Sequence, residues 1–176
     1  MHFPEMRANA GPQRRVAVRL DWHDGSIWID LADGCGNYVQ ITSRGWRVTR
    51  KCPIWFVRCK GMLPLPVPKR NGDLNDLRNL VNLGSSENFL LLIGWVLNAL
   101  RPNGPFLALV VNGEQGSAKS TLCRVVRRLI DPNVADLRAA PRDEQEIVIA
   151  AINSRIVAYD NLSAISPALP PPLPRR

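Results

Sequence analysis

The chain has no apolar run long enough to cross a bilayer. Its longest, FLLLIGWVLNAL at 89–100, spans 12 residues and contains Asn98, against about 20 for a membrane helix. It reads as a buried helix instead. The N-terminal MHFPEMRANAGPQRR lacks the apolar stretch of a signal peptide, so the expected location is cytoplasmic, with no membrane contact. Cysteine is sparse: Cys35, Cys52, Cys59 and Cys123. Cys52 and Cys59 have no second ligand pair nearby, which argues against zinc and for reduced structural thiols. Acid is also in short supply. Residues 1–105 hold 14 Lys/Arg against 8 Asp/Glu, and residues 106–176 hold 9 against 7, so +6 of the net +8 lies in the first part. All five tryptophans, Trp22, Trp28, Trp46, Trp55 and Trp95, lie there too. A surface that attracts a polyanion therefore belongs mainly to the N-terminal part.

What is present divides the chain into six stretches. Residues 1–15 read as a flexible start. Over 16–60 come short strand-like pieces rich in β-branched and aromatic residues: VAVRL (16–20), SIWIDLA (26–32), NYVQIT (37–42), GWRVTR (45–50) and IWFVR (54–58). Turn signals separate the first four, and the near ten-residue spacing predicts an antiparallel meander. Residues 61–72, with Pro64, Pro66 and Pro68 at alternate positions, forbid helix and form a connector. Residues 73–104 carry two helical patterns, 73–83 with Leu74, Leu77, Leu80 and Val81 on one face, and 85–101 with a serine cap. In 105–163 the period changes. FLALVV (106–111) is a continuous apolar run, as in a strand buried on both faces of a parallel sheet. A helix at 119–130 with Leu122, Val125, Val126 and Leu129 inward, a helix at 142–153 and a buried strand at 155–161 follow. Residues 164–176 form a proline-rich tail, expected to be disordered; its PPLPRR also fits a peptide ligand of an SH3-type groove. The fold class implied is α/β with a parallel sheet, preceded by a small β-rich region and two helices.

VVNGEQGSAKSTLCRVV, at 110–126, carries the chemistry. A phosphate-binding loop needs backbone N–H groups converging on phosphate, hence small residues, and a helix starting directly behind. It also needs a lysine for the β/γ oxygens, followed by a hydroxyl for magnesium. Gly113, Glu114, Gln115, Gly116, Ser117, Ala118, Lys119, Ser120 and Thr121 supply that arrangement as the ATP- and Mg2+-binding set. The pattern departs from G-x-x-x-x-G-K-[ST] at Ala118, whose methyl is tolerated at negative φ and damaging at positive φ. Asp160, 40 residues beyond Ser120 at the end of an apolar strand, is the candidate carboxylate beside the magnesium shell, with Ser120 as the other metal residue. Asn161 follows it. Asparagine can hydrogen-bond an attacking water but cannot take its proton, so fast hydrolysis is not expected.

GEQGSAKST, LIDPN…LRAAPRDEQ…IAAINS and IVAYDNLS resemble ATP-binding proteins of phages and bacterial mobile elements. These in turn are similar to the primase-associated, superfamily 3 helicase-type P-loop ATPases of phage and poxvirus replication. IWIDLAD, GWRV and MLPLPVP look like that family's lead-in, so the resemblance spans roughly 16–165. It implies that Gly113, Gly116, Lys119 and Ser120 hold triphosphate and magnesium, and that Asp160 is the acid of the second motif. Lys119, Asp160 and Asn161 would be the catalytic set. The family tends to carry Ala before the Lys and Asn after the Asp. It also implies a sensor strand, more sheet strands and an arginine shared between subunits of a homo-oligomer, where this chain has NLSAISPALPPPLPRR. The fold the resemblance implies is an incomplete P-loop NTPase parallel sheet, and the expectation is a truncated or frameshifted copy with weak or no hydrolysis.

RGWRVTRKCPIWFVRCK, at 44–60, interleaves Arg44, Arg47, Arg50, Lys51, Arg58 and Lys60 with Trp46, Trp55 and Phe56. Cations between flat rings suit single-stranded DNA; a half-buried hairpin with solvated charges has the same pattern. An alternative function follows: a non-enzymatic nucleic-acid-binding module with a passive remnant loop. A small kinase is a poorer reading, since no second substrate site or lid is evident.

Overall fold

The computed structural model describes residues 16–114 and 116–162. The flexible start, Gln115 and the proline-rich tail named above lie outside those residues. Six strands and four helices follow in chain order: β1 Val16–Ala17, β2 Leu20–His23, β3 Ser26–Asp30, β4 Tyr38–Thr42, β5 Gly45–Thr49, β6 Trp55–Phe56, α1 Leu74–Leu80, α2 Ser86–Ala99, α3 Lys119–Ile130 and α4 Glu144–Ile152.

The meander is present. β2, β3, β4 and β5 pair antiparallel in sequence order, with Leu20 opposite Ile29, Ile27 opposite Ile41, and Ile41 opposite Trp46. The first strand differs from the sequence expectation. VAVRL is not one strand but two pieces, because Arg19 sits at φ +66, a left-handed conformation that breaks a ladder. The first piece, β1, pairs parallel with β6 instead.

Arg19 explains its own kink. Its side chain is fully buried; Nε donates to Asp131 Oδ1 at 3.0 Å, and the other nitrogens donate to the carbonyls of Asp30 and Leu63 at 3.0 and 2.7 Å. Asp131 follows the last turn of α3, so one buried ion pair ties the meander to the glycine-loop helix. The backbone adds to the seam: Leu63 donates to the Pro132 carbonyl at 2.9 Å, and Val134 to that of Gly61 at 2.9 Å. Beside it, Arg58 clamps Asp30 through two hydrogen bonds of 2.9 Å.

The apolar core lies between α2 and α3. Leu92, Leu122 and Val126 are its buried centre, and Trp95, Val96, Leu109 and Val111 pack around them. Burying each aliphatic side chain contributes about 2 kcal/mol. Ala99, Ile130 and Ile156 extend the core toward the end of α3.

Three helical expectations need correction. α1 is shorter than 73–83 and buries nothing; Leu74 and Leu80 are largely exposed. On α2 only Phe89, Leu92 and Ala99 are buried, while Leu90, Leu91 and Leu97 face outward. On α3, Leu129 is exposed and Arg127 takes a buried place. Hydrophobic spacing marks the helix; the neighbour that exists decides which apolar side is covered.

The two apolar runs expected as parallel strands carry no strand ladder among the described residues. In FLALVV at 106–111, Leu109 and Val111 face the α2–α3 core, while Phe106, Leu107 and Val110 are exposed. One side of this run is packed, and burial on both faces is not seen. Side chains satisfy its backbone, with Trp95 Nε1 donating to the Leu107 carbonyl at 2.8 Å and the Leu107 N–H donating to Asn98 Oδ1 at 2.9 Å. The run at 155–161 forms a single parallel bridge, Arg138 to Tyr159. A ladder needs partner strands on the same edge, and these segments find side chains and one bridge in their place.

Candidate nucleotide site

The loop 113–118 folds back on itself before α3. Gly113 sits where any side chain would collide: a Cβ would lie 2.7 Å from Ser117 Oγ. Gly116, at φ +85, occupies left-handed backbone that glycine adopts without penalty. Ala118, the departure from the motif, is also left-handed, at φ +61 and ψ +23. The methyl is therefore carried at positive φ, the condition marked above as damaging. The αL well is an allowed minor region for an L-residue, costing about 1–2 kcal/mol rather than forbidding the turn.

Lys119, the first residue of α3, turns its side chain back over the loop. Its Nζ donates to the carbonyls of Gly113 and Glu114 at 2.7 and 2.6 Å, and lies 3.4 Å from Ser117 Oγ. The Ser117 N–H donates to the Glu114 carbonyl at 3.2 Å. The ammonium thus closes the loop into a compact ring around one positive charge. No side chain caps the N-terminus of α3 and no acid lies in its first turn, whereas Asp73, Ser85 and Asp143 cap the other helices. No group within α3 itself offsets the partial positive charge at its start. Arg127 and Arg128 occupy the opposite, negative end.

Ser120 and Asp160 meet. The serine hydroxyl donates to the Asp160 carboxylate, 3.3 and 3.4 Å from its two oxygens. Asp160 is delivered by backbone pairing with 138: the Arg138 N–H donates to the Ala158 carbonyl at 2.9 Å and the Asp160 N–H to the Arg138 carbonyl at 2.8 Å. Farther back, Asp131 accepts the N–H groups of Arg155 and Ile156 at 2.8 and 3.2 Å, anchoring the same segment. Asn161 follows at φ +51, and its N–H donates to Asp160 Oδ1 at 3.1 Å. Thr121 is exposed on the first turn of α3. Behind the site, burial pushes the Cys123 thiol up, and the Asp160 charge adds to that effect.

The donor chemistry fits a magnesium–nucleotide. A hydroxyl and a carboxylate are hard oxygen ligands, and magnesium takes one or two such protein groups with the phosphates supplying others. No cluster of three or more His, Cys, Asp or Glu able to hold a metal occurs among the described residues.

The basic stretch 44–60 is only partly available. Arg58 is committed to Asp30, and Arg47 Nε donates to Gln40 Oε1 at 2.8 Å. Phe56 stacks on Tyr38, with ring centroids 5.8 Å apart. Trp55 is 59% exposed on β6, while Trp46 lies on β5 beneath the Arg70 guanidinium, 5.0 Å from the ring centre. The stretch does not form one continuous surface.

Sequence reading missed the Arg19–Asp131 pair and the burial of Arg127. A charged residue inside the otherwise apolar VAVRL was the available sign of the first; nothing in KSTLCRVVRRLI separates Arg127 from its neighbours.

Residues 74–172 match the family described as actinomycete integrative conjugative element replication protein. That stretch contains the helices, the glycine loop and Asp160. The chain belongs to this family, and so is a replication protein of a mobile element. Neither a curated protein nor a solved structure matches it. No helix among the described residues is long and apolar enough to cross a membrane.

Proposed function

We propose that the chain binds ATP with Mg2+ through residues 113–121 and Asp160, as the nucleotide-handling part of a replication protein of the helicase/primase ATPase class. The Ser120–Asp160 contact carries this reading. A hydroxyl and a carboxylate separated by 40 residues are side by side at the front of α3, where they would hold the magnesium of a bound nucleotide. The fold class proposed is the α/β P-loop unit, its core side formed by Leu109 and Val111 against α2 and α3.

In that role the Lys119 ammonium moves from the Gly113 and Glu114 carbonyls to phosphate oxygens. The loop and helix N–H groups hold the anion, and Ser120 with Asp160 holds the cation. Bound magnesium would supply charge neutralisation at the β and γ oxygens. Asn161 orients water without taking its proton, so turnover is slow. DNA is the polymer partner of the proposal, supported by the family and the basic N-terminal part.

The test is calorimetric titration of ATP with and without Mg2+, on the wild type and Lys119→Ala. Expected are magnesium-dependent binding and a loss of about tenfold or more in the variant, equivalent to about 1.4 kcal/mol. Equal affinity in the two proteins would remove the assignment.

A further inference from the structure

The meander turns its faces the unexpected way. In β3 the buried side chains are Ser26, Trp28 and Asp30, while Ile27 and Ile29 are only half-covered. Side chains directly opposite in antiparallel strands share a face, so the register places Trp22, Ile27, Ile41 and Trp46 in one row across all four strands. The parallel row Leu20–Ile29–Val39–Val48 is closed over, with Leu20 and Val39 buried. In the Trp22 row, Trp22 is 52% exposed, while Ile27, Ile41 and Trp46 are half-buried, Trp46 beneath Arg70. An exposed indole continued into a half-covered apolar row marks a binding surface more often than a scattered exposed residue does.

Its surroundings are cationic. A groove of about 530 Å3 lies against the row, lined by Trp22, Ile27, Ile41, Ser43, Arg101 and Asn103 among others, with no carboxylate in its lining. Arg101 follows α2 at the Trp22 end. Arg70 lies flat over Trp46 at the other, and Arg44 stands exposed at the β4–β5 turn. Three strand spacings of about 4.8 Å put the two indoles about 14 Å apart. Flat rings beside a groove with no carboxylate in its lining, with a guanidinium at each end, match the alternating bases and phosphates of a single strand.

We propose that the row Trp22–Ile27–Ile41–Trp46 is a platform for single-stranded DNA, with Arg101 and Arg70 at its two ends taking phosphates. The proposal rests on DNA as the polymer partner and relocates the contact from the linear stretch 44–60 to a face built from four strands. Trp55 and Arg58, prominent in that stretch, take no part.

Fluorescence anisotropy of a labelled oligo-dT with the full chain tests it. Trp22→Ala is expected to weaken binding about fivefold or more, the lower end of what one stacked base contributes, and Trp22→Phe to retain most of it. Arg101→Ala should lower the slope of log affinity against log salt by about 0.7. Trp55→Ala should match wild type. Wild-type affinity in Trp22→Ala and Arg101→Ala, loss in Trp55→Ala alone, or no oligo-dT binding by the wild type overturns the platform. Self-association abolished by Trp22→Ala, seen by sedimentation, overturns it in favour of a second copy of the chain. ATP titration of the same variants separates the two readings: nucleotide binding unchanged in Trp22→Ala leaves the P-loop assignment standing whatever the DNA result.

Discussion

The Ser120 hydroxyl donates to the Asp160 carboxylate, bridging a loop-helix junction and a chain segment 40 residues later. If the pair serves a magnesium ion, each half matters only when the metal is present. Ser120→Ala and Asp160→Asn are expected to abolish most of the magnesium-dependent gain in ATP affinity, about tenfold or more. The weaker metal-free binding should stay as in wild type. Calorimetry with and without EDTA reads both quantities in one series.

Ala118 holds φ +61 at the start of α3. Replacing it by glycine removes a left-handed penalty of about 1–2 kcal/mol, while the freer unfolded chain returns part of that. Ala118→Gly should therefore stabilise the protein by about 0.5–1 kcal/mol, and Ala118→Val should destabilise it because a β-branched residue fits this region worse. Urea unfolding midpoints measure both. A glycine variant no more stable than wild type would show that the loop does not hold this turn.

Asp131 accepts from Arg19 and from the two N–H groups that begin the segment leading to Asp160. Asp131→Ala leaves a buried guanidinium without its carboxylate, which costs about 3–5 kcal/mol. That is a large part of a typical domain's stability. The expected outcome is a markedly lower denaturant midpoint, with nucleotide affinity falling as Asp160 loses its anchor.

Arg127 gives the opposite sign. It is 1% exposed, and among the described residues none of its three guanidinium nitrogens has a hydrogen-bond partner. Burial pushes its pKa down, against the nearby Asp131 charge. Buried polar groups left unsatisfied cost about 1–3 kcal/mol. Arg127→Met, of similar length and apolar, is expected to raise the thermal midpoint by a few degrees, equivalent to about 1 kcal/mol or more. A lower midpoint would mean that the guanidinium is held by a bound anion or water.

Acid should unfold the chain partly through its helix starts. The Arg142 N–H holds the Glu146 carboxyl below its ordinary value, and the Asn75 N–H does the same for Asp73 at the start of α1. Folded values lowered from about 4 give stability that is present above that pH and lost as pH falls through the folded value. Thermal midpoints should drop between about pH 5 and pH 3, and the drop should be shallower in Glu146→Gln, whose side chain does not titrate. An identical profile for the variant would exclude this contribution.

Local rules made much of the chain readable. Turn residues and β-branched alternation locate the meander, since a two-residue period and a tight turn are properties of neighbours in sequence. The serine before α2 and the glycines before α3 work the same way. VAVRL was misread because the residue that breaks it, Arg19, is held by Asp131, 112 positions away. The apolar faces of α1 and α2 were misread because periodicity says that a stripe exists and not what covers it.

Sequence alone determined the order of the meander strands, the helix behind the glycine loop, and the residue types gathered there. Those depend on spacing and backbone freedom within a few residues. Tertiary structure decided that Ser120 reaches Asp160, that Arg19 and Asp131 join the two parts, and that Trp22 stays exposed. Each of these depends on which distant surfaces pack together, and that is set by the sum of many burials across the chain rather than by any one stretch.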